Sequence, residues 1–340
     1  MSTSGKVMVT GISGYIGLHC AAVLLNSGYQ VLGTVRTKEK ESEVRETIRA
    51  ASVDSANLSF AHLDLTSDEG WNDAAKECDY VMHVASPFTI ANPKTEEEMI
   101  EPAVQGTLRV LKAAQQAGVK RVVLTSSTVA MMCSIKKGTF GPSDWTDLNT
   151  PNISTYVKSK TMAEKAAWNF VNAQKGDKKM ELVSVNPGGV FGPPLGTNIS
   201  GQTMQVLSEM LKGKMPMVPE VSFPMIDVRD VATIHFKAML HPEAAGERFI
   251  AASAEGYGFA SVAQILLDAG YKGPSTRRAP AFVLKFLSFF DREAKGMIGL
   301  LGMDLQSNNE KTRELFEWEP IPLKQSILES ATAVKKILGI

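Results

Sequence analysis

The sequence predicts an α/β fold: a doubly wound parallel sheet covered by helices on both faces, with a smaller C-terminal lobe interleaved into it. Three observations carry that expectation. Apolar, β-branched runs of strand length alternate with stretches of helical periodicity up to Pro187. The first of these runs turns directly into the first helix through a joint with three glycines. Past Pro187 the alternation gives way to Gly- and Pro-rich turns such as NPGGVFGPPLGTNISG and KGKMPMVPE. The expected boundaries are 1–187 with 223–253 for the sheet domain, and 188–222 with 254–340 for the second lobe.

The first strand is placed at 6–10 and the first helix at 15–27, where Ile16, Cys20, Val23 and Leu24 recur at helical spacing. Gly11, Gly14 and Gly17 occupy the joint. A strand that turns straight into a helix aims unpaired N–H groups and the positive end of the helix dipole at whatever lies above it, which makes an anion site. Glycine at the first position frees the turn, at the second admits a phosphate to the backbone, and at the third lets helix and strand pack closely. Gly11, Ser13, Gly14, Tyr15, Ile16 and Gly17 are therefore candidates to surround a pyrophosphate.

The second strand, 30–35, ends VLGTVRT, and a helix follows at 39–51. In a dinucleotide fold of the Rossmann type, the residue after this strand faces the adenosine ribose. An arginine there, Arg36, with Lys40 one turn later and no carboxylate before them, favours the 2′-phosphate of NADP(H) over NAD. The third strand, 58–63, leads into Asp64 and Leu65. Asp64 either accepts from an adenine amino group, with Leu65 on the ring, or caps the helix placed at 68–77.

The fourth strand, 79–84, ends YVMHVASPF. Val84, Ala85 and Ser86 are small enough to let a cofactor pass, Phe88 then faces a pocket, and His83, inside the strand, reads as a core histidine. A helix at 96–117 and a fifth strand at 121–126 follow, the latter in RVVLTSSTVAMM. Thr125 belongs to the cofactor side, and Ser127 is the hydroxyl placed to bind a substrate carbonyl. On the helix at 154–175, Tyr156 and Lys160 are four apart and share a face. An ammonium beside a phenol draws its pKa down from about 10 towards the working range. A sixth strand is placed at 181–186, and further helices near 200–212, 228–240, 260–269 and 323–337. Phe88, Met131, Met132, Phe191 and Met225 flank the predicted reacting centre, which suits a hydrophobic or aromatic carbonyl compound.

Composition excludes several alternatives. Lys plus Arg equals Asp plus Glu at 36 each, so no basic field points to nucleic acid or to an anionic membrane. Cys20, Cys78 and Cys133 are scattered in apolar contexts and read as buried thiols of a reducing compartment, and the five histidines show no metal-ligand spacing. The N-terminal segment lacks the apolar length of a signal peptide, so the cytoplasm is the expected location. PAFVLKFLSFF, 280–290, is read as a helix packing over a core or pocket. Neutral charge fits a monomer or a weak homodimer acting on a small molecule.

These motifs resemble the extended short-chain dehydrogenase/reductase family, which carries a TGxxGxxG turn (Thr10 to Gly17), a DL pair (Asp64, Leu65), a serine after the fifth strand and YxxxK (Tyr156, Lys160). EPAVQGTLRVLKAA, VNPGGVFGP and FPMIDVRDVATIHFKAML are similar to the dihydroflavonol reductase, cinnamoyl-CoA reductase and yeast methylglyoxal (carbonyl) reductase group. The resemblance implies NADPH-dependent reduction of aldehydes or ketones, with Ser127, Tyr156 and Lys160 as catalytic triad and Pro187, Gly188 and Val190 along the nicotinamide. It covers nearly the whole chain and loosens after about residue 255.

Departures narrow it. Asn186-Pro187 stands where sugar-nucleotide members carry Arg-Pro, which disfavours an epimerase or dehydratase. Met132 stands where dihydroflavonol reductases place an asparagine, and ISTYVKSK lacks the aromatic, cysteine-containing segment of cinnamoyl-CoA reductases. The helix segment PAVQGT also lacks the relay asparagine of many short-chain enzymes. The alternatives are a hydroxysteroid-type dehydrogenase/isomerase or an epimerase on the same scaffold, and a non-catalytic NADP sensor. The sensor has no need of Ser127, Tyr156 and Lys160 together.

Overall fold

The computed structural model describes residues 5–86, 93–176, 179–199, 201–287, 296 and 298–340. In chain order its elements begin β1 Lys6–Thr10, α1 Tyr15–Asn26, β2 Gln30–Val35, α2 Lys38–Ala50, β3 Leu58–His62, α3 Trp71–Ala75 and β4 Tyr80–His83. They continue α4 Glu97–Ala117, β5 Arg121–Thr125, α5 Val129–Met132, β6 Lys137–Phe140, α6 Thr155–Asn172, β7 Glu181–Pro187, β8 Gly189–Phe191, α7 Gln202–Leu211, β9 Ser222–Asp227 and α8 Val228–Leu240. The last are β10 Arg248–Ala251, β11 Gly256–Gly258, α9 Phe259–Asp268, α10 Ala281–Leu287, β12 Asp304–Ser307, α11 Glu310–Phe316 and α12 Leu323–Leu338.

Seven strands pair in the order β10-β7-β5-β4-β1-β2-β3, all parallel. Parallel strands need crossovers on the faces, so their side chains are buried on both sides and the strands read as continuous apolar runs. Val122 and Val123 on β5, and Val183 and Val185 on β7, are fully buried. One face is covered by α1 and α8, whose residues Leu24, Ile234 and Ala238 share a core with Val9 and Phe249. The other is covered by α3, α4 and α6, through Trp71, Val110, Leu111 and Ala167. Chain order reverses on either side of β1, with β2 beyond it and β4 before it, so the crevice of a doubly wound sheet opens above β1 and β4.

A second sheet runs β11-β9-β12-β6, with β8 added along β9. Its core gathers Phe140, Phe191, Met204, Met225, Leu305 and Ile327 between the sheet and α7, α9 and α12. Two strands cross the boundaries drawn from sequence. β6 lies within 1–187 and β9 opens 223–253, yet both pair in the second sheet. The strands missed by the sequence pattern, β6, β8, β9, β10, β11 and β12, read KGTF, GVF, SFPMID, RFIA, GYG and DLQS. Gly, Pro and polar residues interrupt most of them, so they lack the apolar, β-branched run that marks a buried strand. The helix predicted at 68–77 shrinks to Trp71–Ala75, because Gly70 takes φ +78° at its start. No helix among the described residues is long and apolar enough to cross a membrane. Most of the aromatic 280–290 stretch lies outside the described side chains, and Phe282, within them, is 72% exposed.

Candidate active site

The glycine-rich joint sits at the crevice. Gly11 has φ +65°, and a Cβ on it would fall 2.8 Å from Cα of Ala85 at the end of β4. A Cβ on Gly17 would fall 2.3 Å from the carbonyl oxygen of Gly11, so α1 can lie this close to β1 only with glycine there. Gly14 is the N-cap of α1 and supplies no side-chain cap, and the first turn holds no acidic residue. The first-turn N–H groups of a twelve-residue helix are thus left to an anion. That cradle fits a dinucleotide pyrophosphate.

Neighbouring side chains hold the turn. The Tyr15 hydroxyl donates to the Gly192 carbonyl at 2.6 Å, and Asn198 Nδ2 donates to the Ser13 carbonyl at 2.9 Å. Tyr15 is buried and Ile16 packs against both cores, so any contact of theirs with a phosphate is through the backbone. The hold from the loop after β8 has no sequence signal, because its partners are 177 and 185 residues apart.

At the ribose end, Arg36 is exposed just after β2, and its charge is felt by Asp64. Lys40 instead pairs with Glu43 at 2.5 Å on the surface of α2. Asp64 does not cap the helix that follows. Its Oδ1 accepts from the Thr66 N–H at 2.8 Å and the Thr66 hydroxyl at 2.7 Å, closing an Asx turn, and these bonds hold the carboxyl below its ordinary range. The N-cap of α3 is Gly70 rather than Asp64. Leu65 packs on α4, where a Cβ on Gly106 would come within 2.9 Å of it. Val84, Ala85 and Ser86 are half-buried in the loop after β4, while Phe88 lies outside the described residues. His83 is a core histidine: Nδ1 lies 2.7 Å from the Thr10 hydroxyl, and burial pushes its pKa down to about 3.

The reacting end lies above β5 and β7. The fifth strand stops at Thr125, and the chain turns into α5, with the Ser127 carbonyl accepting from Ala130 N–H at 3.0 Å. Ser127 thus stands in the strand-to-helix turn. From across the crevice, α6 begins at Thr155 under a Ser154 cap, which accepts from Val157 N–H at 3.3 Å. Tyr156 stands in its first turn, close enough to Ser127 for that side chain to lower the phenol's pKa. One turn on, Lys160 Nζ donates to the Thr125 carbonyl at 3.4 Å. The Thr125 hydroxyl points away, 2.7 Å from His235 Nε2, while His235 Nδ1 lies 2.8 Å from the Val231 carbonyl. With Nδ1 as the donor, Thr125 donates to Nε2 and the imidazole is neutral.

The electrostatics correct the reading from spacing. Burial pushes the Tyr156 phenol up to about 12, against a lowering by the Ser127 hydrogen bond. Burial pushes Lys160 down to about 8, against a raising by Glu164. Desolvation disfavours the charged form of both groups and is the largest cause of both shifts. In this state Tyr156 is a protonated phenol at neutral pH, ready to give a proton.

Four of the residues expected to flank a substrate pocket are packed into the second lobe. Met131, Met132, Phe191 and Met225 are at most 3% exposed and belong to the core of the second lobe. A gap at the start of α6, lined by Cys133, Ile153, Ser154, Val157, Gly296, Gly299 and Leu300, is too narrow to admit a water molecule. Pro187 and Gly188 close the end of β7: the Pro187 carbonyl accepts from Thr128 N–H at 2.9 Å, and a Cβ on Gly188 would strike the Pro224 carbonyl at 2.3 Å. Val190 is half-buried on β8 against Ile226. Among the described residues no cluster of His, Cys, Asp and Glu could hold a metal. All three cysteines are free and buried.

Comparison with known proteins agrees with this geometry. The model of the NAD dependent epimerase/dehydratase family matches residues 7–252. The NADPH-dependent methylglyoxal reductase GRE2 of Saccharomyces cerevisiae is 31% identical over 268 residues, covering 73% of this chain and 78% of that one. Cinnamoyl-CoA reductase 2 of Arabidopsis thaliana is 37% identical over 264 residues, covering 75% of each. The crystal structure of yeast methylglyoxal/isovaleraldehyde reductase Gre2 complexed with NADPH superposes with a TM-score of 0.79 at 27% identity, over 98% of this chain and 99% of that one. By its glycine turn, its strand order and these matches, the chain belongs to the NAD dependent epimerase/dehydratase family, within the extended short-chain dehydrogenases/reductases.

Proposed function

We propose that the protein is an NADPH-dependent reductase that converts aldehydes or ketones to alcohols. The observation that carries this reading is that one crevice brings together Ser127 in the turn after β5, a protonated Tyr156 in the first turn of α6, and Lys160 at the Thr125 carbonyl. NADPH, when bound, supplies the hydride. Gly11 to Gly17 would hold its pyrophosphate and Arg36 its 2′-phosphate, and Lys160 would hold the nicotinamide ribose. Ser127 and Tyr156 donate to the carbonyl oxygen, which polarises the carbonyl and fixes its face. As negative charge grows on that oxygen, Tyr156 transfers its phenolic proton and the alcohol leaves neutral. The Lys160 ammonium, with Ser127, stabilises the phenolate that remains.

An apolar or aromatic carbonyl compound is favoured over a charged sugar nucleotide by Asn186-Pro187, which stands where sugar-nucleotide members of the family carry Arg-Pro. Similar proteins are named for the reduction of carbonyl compounds, methylglyoxal in one and cinnamoyl-CoA in another. Three buried free thiols suit a reducing, cytoplasmic setting, with the chain acting as a monomer or weak homodimer.

A series of straight-chain, branched and aromatic aldehydes with saturating NADPH tests the substrate class. Rising kcat/KM with hydrophobic bulk supports it. A flat or inverse trend with sustained turnover would retain the reductase and reject the apolar substrate class.

A further inference from the structure

Directly behind the triad lies a buried ion pair that the chemistry above does not use. Glu164 is fully buried on α6. Its Oε1 receives Arg248 Nε from β10 at 2.6 Å and Trp168 Nε1 at 3.2 Å. Its Oε2 receives the Ser126 hydroxyl at 2.5 Å, Asn186 Nδ2 at 2.9 Å and Arg248 Nη2 at 3.3 Å. The guanidinium is equally occupied. Its Nη1 donates to the Pro142 and Asp144 carbonyls at 2.7 and 2.6 Å, and it lies 3.8 Å over the Trp145 ring. Burying a charge pair is costly unless the remaining lone pairs and protons are filled. Here they are filled, so the carboxylate has one place to be.

Two lines run from that carboxylate to the reacting groups. Asn186 Nδ2, besides donating to Glu164, donates to the Ser127 carbonyl at 3.1 Å. The Ser184 hydroxyl holds Asn186 Oδ1 at 2.8 Å, so the amide is fixed in this orientation. The second line is charge. Glu164 is one helical turn beyond Lys160 and opposes the loss of its proton. Lys160 is faced also by Tyr156 on α6, by His83 from β4 and by the Thr125 carbonyl from β5, with His235 of α8 behind Thr125 and Arg248 behind Glu164. Both histidines are driven neutral by burial, to about 3 and about 4. Glu164 is the anion of that set.

We propose that Glu164 is a positioning residue for the reduction: through Asn186 and Ser126 it fixes the backbone that presents Ser127, and from one helical turn away it sets a negative charge behind Lys160. The inference rests on the carbonyl-reductase reading. Displacing a reacting group by about 1 Å can cost ~100-fold in rate, so loss of the Asn186 link is felt in kcat.

Three variants separate the two lines. Glu164→Gln removes the charge, Glu164→Asp keeps it but shortens its reach, and Asn186→Val removes the amide that joins Glu164 and Ser184 to the Ser127 carbonyl while leaving the carboxylate's charge in place. Each is assayed as folded protein for kcat and its pH profile with NADPH and an aldehyde. Each is also titrated by NMR with ε-13C-lysine, the Lys160 signal being assigned by its loss in Lys160→Arg. The expected result for Glu164→Gln is a kcat at least about 10-fold lower, together with a Lys160 midpoint moved to lower pH. Glu164→Asp and Asn186→Val should lower kcat with the midpoint retained. If Glu164→Gln does not fold, the other two decide: wild-type kcat in both overturns the proposal. An unmoved midpoint in folded Glu164→Gln overturns the charge role. Absence of turnover in the unaltered protein would refute the reductase reading instead, and the titration, which needs no substrate, still reads whether Glu164 holds the proton on Lys160.

Discussion

The Lys160 ammonium donates to the Thr125 carbonyl at 3.4 Å, inside a site whose burial pushes its pKa down to about 8. The ammonium is therefore close to losing its proton within the ordinary assay range. The first prediction is that kcat/KM for NADPH, which reports the free enzyme, falls as pH rises through about 8. Stability moves the other way. Lysine in the unfolded chain keeps its ordinary value of 10.5, so between about 8 and 10.5 the folded state binds fewer protons, and this group's contribution to stability rises with pH. A flat pH–rate profile from 7 to 10 would contradict the placement of Lys160.

Tyr156→Phe removes the proton donor while leaving the ring in place. General acid catalysis contributes about 100- to 10,000-fold, so kcat should fall by that factor while NADPH affinity stays close to wild type. Single-turnover kinetics beside a fluorescence titration check both. A variant that turns over normally would remove Tyr156 from the proton path.

Gly17→Ala places a methyl where only 2.3 Å separates it from the Gly11 carbonyl oxygen. Overpacking of this kind costs about 1–3 kcal/mol. The expected outcome is a lower urea midpoint, with NADPH binding weakened because the strand-to-helix joint must open. Unchanged stability would mean that α1 and β1 are not so close.

Arg36→Ala tests the ribose end. A hydrogen bond to a charged group contributes about 1.5–3 kcal/mol, or roughly 10- to 150-fold in affinity. The KM for NADPH should rise by that order while the KM for NADH changes little, since only the former carries the 2′-phosphate. Lys40→Ala should have a smaller effect, because its ammonium already pairs with Glu43 at 2.5 Å. Equal losses for both cofactors in Arg36→Ala would place the arginine elsewhere.

The sheet was legible because its central strands are buried on both faces, and burial writes itself into sequence as uninterrupted Val, Ile and Leu. β1, β2 and β5 begin and end within a residue of where the pattern places them. The glycine joint was legible for a related reason, since a 2.3 Å approach leaves Gly17 no substitute. The pair Tyr156 and Lys160 was legible because helical spacing alone puts both on one face. Its protonation was not, because desolvation depends on what other segments bring over it. The same limit explains Met131 and Phe191, whose place beyond strand ends suggested a pocket but whose burial is set by β9, β12 and α7 packing from later in the chain. Asp64 as a helix cap fails for a local reason: Thr66, two residues on, engages its Oδ1, and Gly70 starts the helix. Glu164 and Arg248 meet across 84 residues, and no periodicity links two points so far apart.

The most direct test of the account is to titrate the purified protein with NADPH and with NADH by nicotinamide fluorescence, and then to add an aromatic aldehyde. Preferential NADPH binding followed by aldehyde-dependent oxidation of the cofactor is the result the account predicts. Binding without turnover across a panel of aldehydes and ketones would contradict the reductase, and no binding of either cofactor would contradict the reading of the glycine joint itself.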